Sequence, residues 1–479
     1  MRGPPRHWTA RILGLALVAV CPAHARAQSR GQGSESETHT ATDSDEVRRW
    51  LAELPKPEQH RLENGLRVVL QPTAPRGQVA LVVSYRIGLA DDPPGLHQLS
   101  HLIEHLTFRG SRHLQDLEIH RVLERAGASN YNGATDDRVT RYYATAPPSA
   151  LPALLWVESE RMAFTLEKLS QRSLDVERRV VEKELLRFVR DRYEPLQTAS
   201  RFVLGEDHPY APPVDPVAGL REIRLEHVQS VFQTYYRPDN AVLLLVGDFR
   251  TAAAKAQIHK YFAPIVAPRK SLTRVAAPRA AGFDRYRKIV VTSRPLEQRV
   301  ARVWRGPRPG GVQGIMMRLA LRSLAAKVRV ELRKRYPLVD TNAGLFGPVE
   351  TRLYAVGVTL TKGLDHATVD ETIDRALGHL PARDWGKVLP GTKRQNRISL
   401  LQGIEQPLKW AVRHDSELLY ERRLFDPVAW LAELDALEPS DMERFVARLL
   451  RCRSVSIYVK DAEPSQSVPE EGLVELTAR

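Results

Sequence analysis

Cysteine is almost missing from this sequence, with two in 479 residues, Cys21 and Cys452. Cys21 falls in an N-terminal stretch that reads as a cleaved signal, so the mature chain keeps Cys452 alone and no intramolecular disulfide is open to it. Stability must then come from core burial, with a bound metal as the other source. Also missing at the N-terminus is an apolar run long enough for a resident membrane helix. The run Ile12 to Val20 is too short to span a bilayer. Arg2, Arg6 and Arg11 precede it, and Ala23-His24-Ala25-Arg26-Ala27 follows with two overlapping Ala-x-Ala cleavage sites. Residues 1–27 are therefore expected to be a signal peptide. The mature protein is expected to be secreted or periplasmic, with no integral membrane segment after cleavage. Val20, not a small residue, precedes Cys21, which argues against a lipoprotein.

A third absence is any block of Lys and Arg with interleaved aromatics. Cleavage after Ala27 takes Arg2, Arg6, Arg11 and Arg26 from a formal charge of +14 and leaves +10. The remaining cations are mostly arginine and are dispersed along the chain. Nucleic acid is therefore not an expected partner, whereas acidic peptides or an anionic surface suit the charge.

The length exceeds what one core normally serves, about 250–300 residues, so two domains of similar size are expected. Residues 28–57 are polar and read as a solvated linker. A first unit, 58–262, opens with an Asn64-Gly65 turn leading into Leu66-Arg67-Val68-Val69-Leu70. A second strand follows from Gln78 to Ile87. Helical patterning covers 97–107, 114–126, 149–162 and about 166–190. The unit closes with a helix at 224–236 and the strand Ala241 to Val246, ended by Gly247-Asp248. The Pro-, Ala- and Arg-rich stretch 263–283 reads as a linker. The second unit, 284–462, repeats the ending: a helix near Ser440 to Leu450 feeds Val455-Ser456-Ile457-Tyr458-Val459, about 214 positions after its counterpart. That offset points to two copies of one α+β domain, with 463–479 left as a tail.

The chemistry is concentrated in His101-Leu102-Ile103-Glu104-His105. On a helix, His101 and His105 project from one face a turn apart, so two imidazoles reach one ion. Glu104 sits at the rim of that face and is placed to take a proton from a water activated by zinc. The alternative is a surface helix whose polar residues are simply solvated. A catalytic zinc needs a third protein ligand, and the acidic helix Asp175 to Glu184 offers Glu177, Glu182 and Glu184. Glu177 and Glu184 are seven apart and share a face, whereas Glu182 points away from both. One of the pair can ligate while the other supports it from behind, and an ordinary helix of Glu–Arg pairs is again the alternative.

These residues resemble the pitrilysin, insulinase and mitochondrial processing peptidase family of zinc peptidases. The resemblance runs across nearly the whole mature length: Asn64-Gly65-Leu66, Gly88 through Pro94, His101 through Gly110, and the pair Glu177 and Glu184. It implies two homologous α+β domains, each a mostly antiparallel sheet with helices packed on one side. It makes Glu184 the third zinc ligand and Glu177 a supporting catalytic residue. A slightly long separation from His105 keeps Glu182 as runner-up. Asn132-Gly133-Ala134-Thr135, followed by Thr140-Arg141-Tyr142-Tyr143, resembles the edge strand on which the family lays its substrate. His208-Pro209-Tyr210 and Tyr235 to Asn240 match structural segments. Family members also use an arginine and, seven residues later, a tyrosine at the oxyanion. Arg333 fits, but Asp340 stands where the tyrosine is expected, and an acid there disfavours a developing negative charge.

The expected activity is a zinc-dependent endopeptidase acting on unfolded or extended peptides, with Glu104 as general base. The partner implied is a dimer with a related chain that carries the Arg/Tyr pair. The alternatives are a non-catalytic structural subunit and a module that binds peptides without cutting them.

Overall fold

The computed structural model describes residues 44–462 and 473–478, except 74–76, 193, 214, 216, 269–271, 273–281 and 294–296. The signal-peptide segment 1–27 and most of the stretch 263–283 lie outside the described residues.

Among the described residues, twelve strands form two six-stranded sheets. The first contains β1 (Glu58–Arg61), β2 (Arg67–Pro72), β3 (Val79–Tyr85), β4 (Ser129–Thr135), β5 (Thr140–Ala146) and β6 (Ala241–Gly247), in the order β1-β2-β6-β3-β5-β4. The second contains β7 (Tyr286–Ser293), β8 (Arg299–Arg305), β9 (Asp340–Leu345), β10 (Leu353–Thr359), β11 (Ser454–Asp461) and β12 (Leu473–Ala478), in the order β12-β7-β11-β8-β10-β9. Among the described strands, only β2–β6 and β7–β11 pair in parallel. β6 and β11, the two strand endings that repeat in the sequence, occupy the same place in their sheets.

The first half carries α1 (Ser44–Glu53), α2 (Leu99–Leu106), α3 (Glu118–Arg125), α4 (Leu151–Phe164), α5 (Gln171–Arg192), α6 (Glu194–Leu204), α7 (Ala218–Glu222), α8 (Leu225–Tyr235) and α9 (Thr251–Phe262). The second half adds α10 (Gly282–Arg285), α11 (Val312–Arg333), α12 (His366–His379), α13 (Trp385–Ile404), α14 (Pro407–Tyr420), α15 (Pro427–Asp435) and α16 (Pro439–Leu449).

Alternation along the strands fixes which face each side chain covers. Val68, Leu70, Leu243 and Leu245 bury against the first half's own helices, while Val69, Val242, Leu244 and Val246 face the other way into the second half's core. Every residue of β6 is buried, as a central strand covered on both faces requires. The second cover is an exchange between halves. α14 packs on β3 and β6, and α6 packs on β7 and β11. Gln71 Oε1 on β2 accepts from Trp410 Nε1 (2.8 Å) and from His414 Nε2 (2.7 Å), both on α14. The buried Arg141 on β5 pairs with Asp415.

Two stretches differ from the reading of the sequence. Within the polar segment 28–57, Ser44–Glu53 is a helix, because Val47 and Leu51, four apart, bury one stripe at 5% and 3% exposure. Its first turn is tied to α15 through Ser44 and Arg48 on Asp435. The tail 463–479 contains β12, which pairs antiparallel with β7 and takes the place that β1 holds in the first sheet. β1 precedes its neighbour in sequence, whereas β12 arrives from the far end of the chain, so the shared position is not visible in the order of segments.

Candidate metal centre

The metal-site geometry begins with the placement of α2. Its first amides are capped from outside the helix by Asp92, which accepts from Leu99 N (3.1 Å) and Ser100 N (2.8 Å). Leu99, Leu102, Ile103 and Leu106 bury one face in the first core. The opposite face turns His101 and His105 towards α5, with ring centroids 4.9 Å apart. At the C-terminal end, Thr107 Oγ1 donates to the Glu104 carbonyl (2.7 Å) and takes a bond from the buried Arg161 (2.8 Å). A cation at a helix C-terminus suits the dipole, and this one is enclosed by Glu158 and the rings of Phe108 and Tyr142.

α5 supplies the carboxylates. Glu184 Oε2 lies 3.8 Å from His101 Nε2 and 3.5 Å from His105 Nε2. The donor atoms of these three residues all lie within 4.8 Å of one another, the one such cluster among the described residues. Each imidazole has its Nδ1 engaged elsewhere, His101 with Gln98 Oε1 (3.1 Å) and His105 with Glu177 Oε2 (3.1 Å). Acceptors at both Nδ1 positions favour the tautomer with the proton there, which leaves both Nε2 lone pairs for a shared ion. Two imidazoles and a carboxylate, each imidazole oriented from behind, fit a zinc ion by donor type and by tautomer.

The same contacts set the charges. Burial, joined by the charge of His105, pushes His101 down to about 3. Burial also works against charge on His105, but its hydrogen bonds to Glu177 and Glu184 outweigh that and raise it to about 10, so an ion taken up at Nε2 would displace a proton from it. Glu177 is held below the usual carboxylate range, against burial, by His105 and Arg109.

Glu104 points from α2 to the edge strand. It is buried at 7% exposure, and burial raises its pKa although His105 and the Thr135 hydroxyl oppose the shift. Thr135 Oγ1 donates to Glu104 Oε2 (2.7 Å). Gly133 is pressed so close that a Cβ there would stand 2.6 Å from Glu104 Oε1. Asn132, Gly133, Ala134 and Thr135 all lie on β4, which ends its sheet with no strand on its outer side among the described residues.

Glu182 is not part of this cluster and pairs with Arg221 (3.2 Å). Arg333 closes α11 in the second half, its Nε donating to the Val339 carbonyl (3.3 Å), and Asp340 opens β9. The sequence reading passed over Gln98, Arg109 and the capping Asp92. Arg109 alone carried a usable signal, one helical repeat of four beyond His105.

Comparison with known proteins matches this architecture. Residues 67–198 match the family model "Insulinase (Peptidase family M16)" and residues 222–376 match "Peptidase M16 inactive domain". The zinc protease PqqE of Helicobacter pylori is 27% identical over 214 residues, 44% of this chain and 47% of that protein. The chain thus spans about half the length of that curated relative. A crystal structure of a protease from Helicobacter pylori superposes with a TM-score of 0.67 at 18% identity, covering 85% of this chain and all of that one. The periplasmic protease PqqL from Escherichia coli superposes at 0.61 with 16% identity, over 86% of this chain and 49% of that one. With two models of one family matching residues 67–198 and 222–376, the chain belongs to the insulinase family of peptidases, M16.

Proposed function

We propose that this protein is a zinc-dependent endopeptidase that hydrolyses unfolded or extended peptides. The observation that carries this is the meeting of a three-residue metal-ligand set, His101, His105 and Glu184, with a buried carboxyl group bonded to an open edge strand. A zinc ion held by that set supplies Lewis acidity for amide hydrolysis. β4 takes the substrate as an added strand through main-chain hydrogen bonds, which selects for extended conformation more than for sequence. Glu104 takes a proton from the attacking water and returns it to the leaving amine as the C–N bond breaks. Glu177 holds His105 in its ligating tautomer. Together with any partner chain it requires, the purified protein should cleave an unstructured peptide, lose that activity to a chelator and regain it with zinc. Cleavage that a chelator leaves intact would contradict the proposal.

The active species is further proposed to be a dimer with a related chain rather than this chain alone. In support, the chain aligns with 49% of the PqqL structure, and a partner of similar size would supply a counterpart to the rest. Arg333 has no tyrosine seven residues on, since Asp340 stands there, and a partner carrying both residues would supply an oxyanion donor worth about 10²–10³ in rate. Full activity from a homogeneous preparation, unaffected by Asp340→Ala, would exclude it. Export to the periplasm or beyond is proposed from the residues of segment 1–27, and the name of PqqL as a periplasmic protease is in keeping with it. No described helix is long and apolar enough to cross a membrane.

A further inference from the structure

Arg109 lies four residues beyond His105, just past the end of α2, and makes no bond to the metal-ligand set. Its Nε lies 2.5 Å from Glu177 Oε1, and a second guanidinium nitrogen pairs with the same oxygen. Its Nη1 reaches both oxygens of Asp116, at 3.2 and 3.4 Å. The remaining oxygen of Glu177, Oε2, accepts from His105 Nδ1. Asp116, Arg109, Glu177 and His105 therefore form one chain of charge-assisted bonds. It runs from an Asp116 side chain 67% exposed to solvent, through Arg109 at 16%, to a Glu177 side chain at 9% beside the metal ligands.

A glutamate has three rotatable bonds and two equivalent oxygens, so a bond from His105 alone would not fix its orientation. A guanidinium is planar and always charged, and its fork assigns one oxygen to itself and leaves the other to the imidazole. Asp116 holds the guanidinium in turn, so its orientation does not depend on Glu177. We propose that Arg109 is a positioning residue of the metal centre: it locks Glu177 in the orientation that presents His105 Nε2 to the ion, and thereby sets zinc affinity. The inference rests on the metal-centre reading given above and adds to it a residue that touches neither ligand nor substrate.

The test is zinc affinity, measured by competition with a chelating dye on stripped full-length protein, and needs no peptidase activity. Arg109→Met keeps the apolar stem and removes the fork. It should weaken zinc binding roughly 10- to 100-fold, the range for partners that orient a metal ligand, with an unchanged far-ultraviolet circular dichroism spectrum. Arg109→Lys should recover part of the loss, since it restores charge without the fork. In a Glu177→Gln background, Arg109→Met should cost little more, because the group it positions has already lost its charge. Zinc binding by Arg109→Met within about twofold of the wild type would overturn the inference, as would an equal loss in both backgrounds. If Arg109→Met does not fold, Asp116→Ala at the solvent end carries the test: a several-fold loss supports the chain and no change overturns it. A wild-type protein that binds no zinc would remove the metal-centre reading itself, whereas normal wild-type binding with unaltered variants removes only the role of Arg109.

Discussion

Thr135 Oγ1 stands 2.7 Å from Oε2 of Glu104, so the edge strand and the buried carboxyl group are joined by a single hydrogen bond. The strand that would take the peptide and the group that would move the proton are therefore placed as one unit. Thr135→Val keeps the shape of the side chain and removes the donor. A hydrogen bond to a charged group is worth about 1.5–3 kcal/mol, so kcat should fall roughly 10- to 100-fold if the bond holds Glu104 in its reactive position. Peptide kinetics together with zinc analysis check this. An unchanged kcat at full zinc content would show that Glu104 needs no help from β4.

Gly133 offers a steric counterpart. An added Cβ would fall 2.6 Å from Glu104 Oε1 and 2.7 Å from its Cγ, so Gly133→Ala must displace the carboxyl group or the strand. The expected result is a loss of at least about tenfold in kcat/KM, since misplacement near 1 Å costs that much or more. His101, His105 and Glu184 are left in place, so zinc content should stay at the wild-type level. Loss of zinc would mean that the substitution acts on α2 as a whole.

The assignment of the third ligand is open to a direct comparison. Glu184→Gln should lower zinc retention after dialysis by a large factor, while Glu182→Gln, which gives up a pairing with Arg221, should not. Equal retention by both variants would send the search to Glu177 or against a zinc site.

The parts of this site that sequence could show are those fixed by helical period. His101 and His105 lie four apart, and Glu177 and Glu184 lie seven apart, so their directions follow from local geometry whatever the fold around them. The same period turns Glu182 away, and it is found on Arg221. Thr135 on Glu104 and Asp116 on Arg109 depend on a strand and a loop folding back on α2, and no local period encodes that. In the fold, the alternation in β2 and β6 was legible as strand. That their second face would be covered by α14 from the other half was not, because a buried Leu reads the same whichever helix lies over it. The helix at Ser44–Glu53 was hidden because only Val47 and Leu51 mark its buried stripe among charged neighbours.

The junction between the halves should carry its own pH signature. Burial, with Arg413 adding to it, pushes His414 down to about 4 from the ordinary 6.5, so the ring is neutral where it donates to Gln71. In the unfolded chain the same ring takes up a proton near its ordinary value. The contribution is therefore complete above about pH 6.5 and is lost as pH falls towards 4, by on the order of 3 kcal/mol in all. In urea unfolding, the wild-type midpoint should fall more steeply between pH 6.5 and 4.5 than that of His414→Gln, which keeps a donor but cannot titrate. Parallel curves would contradict this.

The most direct measurement is peptide hydrolysis by Glu104→Gln alongside its zinc content, with any partner chain the wild type requires present in both assays. The amide keeps the size of the carboxyl group and removes its capacity to take a proton, while His101, His105 and Glu184 are untouched. Zinc should be bound at the wild-type stoichiometry and the rate should fall by about 100-fold or more, the usual share of a general base. Near wild-type cleavage by this variant with zinc in place would contradict the role given to Glu104, and with it the account of this protein as a zinc peptidase.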